Sequence, residues 1–314
     1  MGSSIRNMPV LENRRMNREI KSTIFLFIAP MIWGVAFVMQ CMVDTASIGT
    51  LTFNAGRFLL GAISLIPIIF IFENEPYNAE KLKKTVIYGM VTGVILFVAS
   101  EFQMYGISLN KSSGKSGFLT GLYIVIVPFF NCVLYKRRVA LNEWLAAAIA
   151  LSGLFLLSVS EGFGDINIGD AMVCVGAFFW AVHILAIDKF APSVSPIKYS
   201  FVQYITCTAL NAVFAVFTEN ISVAGISMNI VPILYTGIMS IGIGYTFQTL
   251  GQRGVNPNFA SIILATEGVF AAIAGAIMLG EKMTVRGYAG CVLMFLGTIL
   301  SQIKWKKQFI DKKA

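Results

Sequence analysis

The sequence predicts an all-α membrane protein of ten transmembrane helices, arranged as two inverted five-helix repeats with both termini cytoplasmic. Three observations point there. Of the 314 residues, 56% are hydrophobic and 13% are charged, with a mean hydropathy of +0.75. A soluble domain carries about 25% charged residues. Ten apolar windows follow one another with short loops between them, each near the ~20 residues needed to cross ~30 Å of hydrocarbon. Finally, Lys and Arg collect in alternate loops, which is the signature of a fixed membrane orientation.

The windows run over residues 22–42, 50–72, 85–105, 116–135, 141–159, 169–189, 198–218, 229–250, 256–279 and 284–303. In the first, the apolar core from Ile24 to Met39 exceeds the 7–15 residues of a cleaved leader, which favours a signal anchor. A β-barrel needs segments alternating apolar and polar. Runs such as Ala146 to Leu157 are apolar on every face, so helices fit and strands do not. With the amino terminus inside, 19 of the 24 Lys and Arg fall in the tails and inner loops. Four (Lys111, Lys115, Lys282 and Arg286) fall outside, and Arg57 lies within a span. The net charge of +8 is therefore an orientation signal rather than a nucleic-acid surface. The implied organisation is a basic cytoplasmic tail (1–21), a first repeat (22–159), a second repeat (169–303) and a second basic tail (304–314). The amino-terminal tail is placed against the anionic inner lipid surface.

Other classes lack their residues. Cys41, Cys132, Cys174, Cys207 and Cys291 lie in apolar runs without a CxxC and read as small packing residues. His183 is the only histidine and has no ligand cluster near it, so no metal site is expected. No phosphate-binding loop and no hydrolase motif appears, so neither a cofactor nor catalysis is expected. An enzyme or receptor would need a catalytic cluster or an extramembrane domain. The sequon Asn220-Ile221-Ser222 falls in an outer loop and has meaning only in a eukaryotic secretory pathway.

Five spans per half insert the second half upside down relative to the first. Ile32-Trp33-Gly34 in the first span matches Phe179-Trp180-Ala181 in the sixth. Residues 138–156 can be laid on 282–300 without gaps, so that Gly153 meets Gly297 and Ala146 meets Gly290. The stretch Ala260-Ser261-Ile262-Ile263-Leu264-Ala265-Thr266-Glu267-Gly268-Val269-Phe270, then Leu279-Gly280-Glu281-Lys282 and Gly287 to Gly297, resembles the carboxy-terminal signature of the EamA family of the drug/metabolite transporter superfamily. Ile32-Trp33-Gly34, Arg57-Phe58-Leu59-Leu60 and Ser112 to Pro128 resemble the amino-terminal half. The resemblance covers about residues 22–303. One departure is Gly268, where members often have proline after the glutamate, and this predicts a straighter ninth span. The resemblance implies two inverted repeats around a cavity lined by spans one to four and six to nine. It also implies export or exchange of amino acids or related solutes, and peripheral spans five and ten that offer a homodimer face.

A charge at the bilayer centre costs ~2.5–3.5 kcal/mol on insertion scales, so such groups face the interior or a wet cavity. Arg57 and Glu101 stand at similar depth on adjacent spans. They form either a substrate-carboxylate anchor with a gate, or a structural pair. Glu267 is mid-span, where desolvation favours the neutral carboxyl; it is a candidate proton carrier or a hydrogen-bonded structural acid. Trp180 and His183 share one helix face, suited to a planar substrate or a cation or to simple packing. Trp33 is their counterpart in the other half, and Tyr123, Gln103 and Gln248 are weaker candidates. No broken helix is legible. Gly89-x-x-x-Gly93 and Gly117-x-x-x-Gly121 are candidate close approaches. The function expected is a secondary transporter of a small organic metabolite in the plasma membrane, working by alternating access, with protons as a candidate partner. A passive channel and an uptake permease are the alternatives.

Overall fold

The computed structural model describes residues 8–74, 76, 78–110, 113–134, 136–158, 167–280 and 284–302. Both chain ends, Lys111 and Ser112 ahead of the fourth window, and Glu281 and Lys282 of the family-like motif lie outside them. The described residues form helices and short connections, with no strand. The helices are α1 (Met8–Cys41), α2 (Thr50–Phe72), α3 (Ala79–Asn110), α4 (Ser113–Gly121), α5 (Tyr123–Val133), α6 (Leu141–Ser158), α7 (Ile168–Phe190), α8 (Pro196–Thr218), α9 (Val223–Met228) and α10 (Ile230–Leu234). A π-helical stretch, Tyr235–Tyr245, leads into α11 (Thr246–Gln252), followed by α12 (Pro257–Leu264), α13 (Glu267–Met278) and α14 (Val285–Gln302). Among the described residues, eight stretches are long and apolar enough to cross a membrane, and α6 and α14 carry shorter apolar cores, Leu141–Leu157 and Val285–Ser301.

The largest departures from the expected bounds are at the start of α1 and at both ends of α3, which runs Ala79–Asn110 where 85–105 was expected. Helix α1 begins at Met8, well inside the stretch expected as a tail, because no glycine intervenes between it and the apolar span and the lone early proline, Pro9, sits in the first turn, where proline is tolerated. Helix α7 starts where a capping box closes. The Asn167 side chain accepts from the Asp170 N–H (3.1 Å), and the Asp170 carboxylate accepts from the Asn167 N–H (3.0 Å).

Packing between helices runs through small residues. In the antiparallel pair α6 and α14, a Cβ on Gly153 would lie 2.6 Å from the Gly290 carbonyl oxygen, and one on Gly290 would lie 2.5 Å from that of Gly153. Gly297 sits equally close to Ala146. Gly153→Val is therefore expected to cost about 1–3 kcal/mol through overpacking, read as a lower Tm in detergent; an unchanged Tm would contradict the close crossing. The crossing faces are used within the chain, so a second copy could meet only the outward faces of this pair.

The remaining contacts come in matched sets. Gly106 of α3 rests on Gly169 and Val173 of α7, and Gly251 of α11 rests on Ser22 and Leu26 of α1. The shift that carries Trp33 onto Trp180 also carries Ser22 and Leu26 onto Gly169 and Val173. Likewise Gly93 of α3 meets Gln203 and Thr206 of α8, while Gly237 meets Arg57 and Leu60 of α2.

Helices α2 and α8 show the same exchange at their ends. Both have 23 residues, and neither N-cap, Gly49 or Ser195, makes a side-chain capping bond of its own. Glu219, just past the end of α8, instead accepts from the N–H groups of Leu51 (2.9 Å) and Thr52 (2.8 Å) and from the Thr52 hydroxyl (2.7 Å). Glu73, just past the end of α2, accepts from the N–H groups of Ile197 (2.7 Å) and Lys198 (3.0 Å). The same two positions of each helix are capped by the other helix's terminal acid, where the helix dipole favours a negative charge. A Cβ at Gly49 would meet the Glu219 carboxylate, so a side chain there would have to push that carboxylate from its seat.

Candidate functional site

Where α1, α3, α7, α11 and the helices on either side of two interrupted spans converge, they line a partly open cavity whose empty space, its mouth included, is ≈ 420 Å³. The fourth span breaks at Leu122 between α4 and α5, and the ninth at Ala265–Thr266 between α12 and α13. At both, the backbone angles stay in the helical region, so each is a one- or two-residue interruption of the regular hydrogen-bond ladder within a continuous span. At each, N–H groups tighten onto carbonyls three residues back: Val125 on Leu122 (3.1 Å) in one, Val269 on Thr266 (2.9 Å) in the other. The Thr266 hydroxyl also donates to the Ile263 carbonyl (2.6 Å), the kind of local bond that competes with a helix ladder. The ninth span is thus locally tightened just ahead of Gly268, the position where proline was expected. Short tightened turns inside helices recur at functional positions.

The first residues after the two breaks are Tyr123 and Glu267. Both line the cavity, and the Tyr123 hydroxyl donates to Glu267 Oε1 at 3.0 Å. Glu267 is 4% exposed and is the only ionic side chain among the described residues lining the cavity. Trp33 and Trp180 also line it, with Tyr245 between them. The Tyr245 ring lies 4.8 Å from that of Trp33 and 5.6 Å from that of Trp180. Trp33 is fixed by its Nε1, which donates to the Ser240 carbonyl (3.2 Å) in the π-helical stretch. Trp180 Nε1 has no partner. Gln103 and Gln248 line the cavity too; Gln103 donates to Thr120 (3.0 Å), and the Gln248 carbonyl oxygen is buried without a donor.

The other expected residues stand behind this wall. His183, 1% exposed, sits edge-on to Trp180 and pairs its Nε2 with Gln203 Oε1 at 3.0 Å. Arg57, also 1% exposed, lies between the rings of Phe53 and Phe58, each centroid 5.3 Å from its guanidinium carbon. Its Nε donates to Asn54 (2.7 Å) and its Nη1 to Gln40 (3.2 Å), while Nη2 has no partner. Glu101 does not touch Arg57. It accepts from Asn54 (2.6 Å) and from the Thr50 hydroxyl, so the two charges are joined through Asn54. Arg57 thus buttresses Gln40, a wall residue, rather than facing the cavity. Because a lysine lacks the planar fork that serves Asn54 and Gln40 together, Arg57→Lys is expected to lower Tm nearly as much as Arg57→Ala. Retention of native stability by the lysine variant would show that charge alone suffices.

Sequence reasoning missed Gln40, Ser240 and Tyr245. It weighted ionisable groups, and a lone amide, hydroxyl or tyrosine in an apolar span carries little signal. The one usable cue was the glycine-rich run Gly237 to Gly244, which marks an irregular helix.

A multi-helix membrane bundle around a partly open cavity lined by aromatic rings, amides and one buried carboxylate is the build of a small-molecule transporter. Comparisons with known proteins agree. The model of the EamA-like transporter family matches residues 20–159 and again 167–302. An uncharacterized transporter of Archaeoglobus fulgidus is 25% identical over 91% of this chain and 87% of its own length. The uncharacterized transporter YwfM of Bacillus subtilis is 20% identical over 91% of this chain and 95% of its own. One crystal structure superposes with a TM-score of 0.72 at 18% identity, over 90% of this chain and 96% of that one, a likeness of fold. The chain belongs to the EamA-like transporter family and is a multi-pass membrane transporter.

Proposed function

We propose that the protein is a secondary transporter that moves a small amine-bearing metabolite, an amino acid or related solute, across the plasma membrane by alternating access. The observation that carries this is the Tyr123–Glu267 bond. It links a residue of the first half to one of the second inside the cavity, and this supports reading Glu267 as the acid that substrate meets between the two halves. The matched glycine contacts support two inverted five-helix repeats, a common basis for rocking around a midplane site. Efflux or exchange, rather than uptake, rests on the family resemblance. Glu267 holds either the substrate's ammonium or a proton, which makes proton exchange the coupling step. Glu101, at the far end of the Arg57–Asn54 chain, serves as a gate support.

Counterflow in proteoliposomes tests the carrier reading. Vesicles preloaded with an unlabelled amine-bearing substrate are expected to accumulate its labelled form transiently against its gradient. A passive channel only equilibrates the label, and that result would replace the carrier.

A further inference from the structure

We infer that the cavity selects an organic cation, with the Trp33–Tyr245–Trp180 wall holding its ammonium head and Glu267 as counter-ion, and that a carboxylate on the substrate adds nothing to recognition. This rests on reading the cavity as the transport site, and it narrows what that site takes.

Three features argue for a cationic head. The three rings pack one on the next along the wall, Trp33 tilted 54° to Tyr245 at 4.8 Å and Trp180 stacked on Tyr245 at 5.6 Å. Aromatic faces attract cations, most strongly when water is excluded. The same cavity holds one carboxylate and, among the described residues that line it, no Lys, Arg or His. Gln248, 1% exposed on that wall, turns a side-chain oxygen with no donor to the site, a negative dipole end that favours positive charge nearby.

The cavity is correspondingly poor in groups for an anion. Arg57, the cation behind the wall, is screened by Phe53 and Phe58. The amide it reaches is engaged at both ends, since Gln40 Oε1 accepts from Arg57 and Gln40 Nε2 donates one N–H to the Ala36 carbonyl (3.2 Å). Gln103 Nε2 is committed to Thr120. The donors left on the wall are uncharged, among them the unpartnered Trp180 Nε1 and the second amide N–H groups of Gln40 and Gln103; they suit hydroxyl or carbonyl oxygens on the substrate's tail and bring no positive charge to a carboxylate.

The test uses the full chain purified in detergent, with tetramethylammonium as the minimal cation, glycine betaine as its zwitterionic relative, and acetate and tert-butanol as anionic and neutral controls. Tetramethylammonium is expected to quench tryptophan fluorescence saturably and to raise Tm. Glycine betaine is expected to bind within about threefold of it, and acetate and tert-butanol to do neither. Glu267→Gln and Trp180→Leu should each weaken tetramethylammonium at least tenfold. Glycine betaine binding tenfold or more tighter than tetramethylammonium would overturn the inference, as would binding untouched by Glu267→Gln. Should either variant fail to fold, carbodiimide labelling of Glu267 in the native chain decides: protection by tetramethylammonium but not acetate supports the site, and equal labelling overturns it. Tetramethylammonium binding without counterflow of any amine sinks the carrier reading alone. Counterflow of an amino acid that tetramethylammonium does not inhibit sinks the cation reading alone.

Discussion

Glu267→Gln is expected to lower exchange between about ten- and a hundredfold near neutral pH and to remove most of its pH dependence. A hydrogen bond to a charged group is worth about 1.5–3 kcal/mol, and each 1.4 kcal/mol is a factor of ten. In the native chain, acidification protonates the carboxylate and releases a cationic substrate, so binding weakens as pH falls. Glutamine has no charge to lose, so the variant should be weak and flat across the same range. Tyr123→Phe is the matched control: it removes the 3.0 Å bond to Glu267 but leaves the acid, so the pH profile should keep its slope. Coinciding pH profiles for the native chain and the Glu267→Gln variant would take Glu267 out of the coupling step.

The second large effect belongs to the exchanged caps. Glu219→Ala strips two backbone N–H groups and the Thr52 hydroxyl of their acceptor, and Glu73→Ala strips two N–H groups at the opposite end of the pair. Each is expected to cost about 2 kcal/mol, the upper range for losing a helix cap, with the glutamine variants costing about half as much. The two seats are separated by the length of a 23-residue helix, roughly 34 Å at 1.5 Å per residue. Their effects should therefore add. Denaturation of the single and double variants in detergent measures this, and alanine variants as stable as the native chain would show that water caps these ends equally well.

Much of the fold was legible because a membrane makes scarcity informative. Charges are costly in hydrocarbon, so ten windows and the sites of Arg57, Glu101 and Glu267 stood out at once. The breaks did not. Leu122 and Ala265–Thr266 keep near-helical backbone angles and contain neither proline nor a polar run, so nothing in composition marks them. The site was half legible: Trp33, Trp180, Tyr123 and Glu267 share one cavity, while Arg57 and His183 sit one layer behind it. Depth can be counted along a span, but which face a side chain presents depends on neighbours that only packing supplies. Glu73 and Glu219 were invisible for a related reason. An acid just beyond a span reads as loop solvation, and its target lies 124 or 167 positions away in the chain.

Those exchanged acids bear on how the chain is made. While a ribosome has delivered only the first half, the start of α2 waits raw, because the group that finishes it is encoded in the second. A gene severed in the stretch after Ser158 should yield two fragments that are each degraded when produced singly, and that rescue one another when produced together.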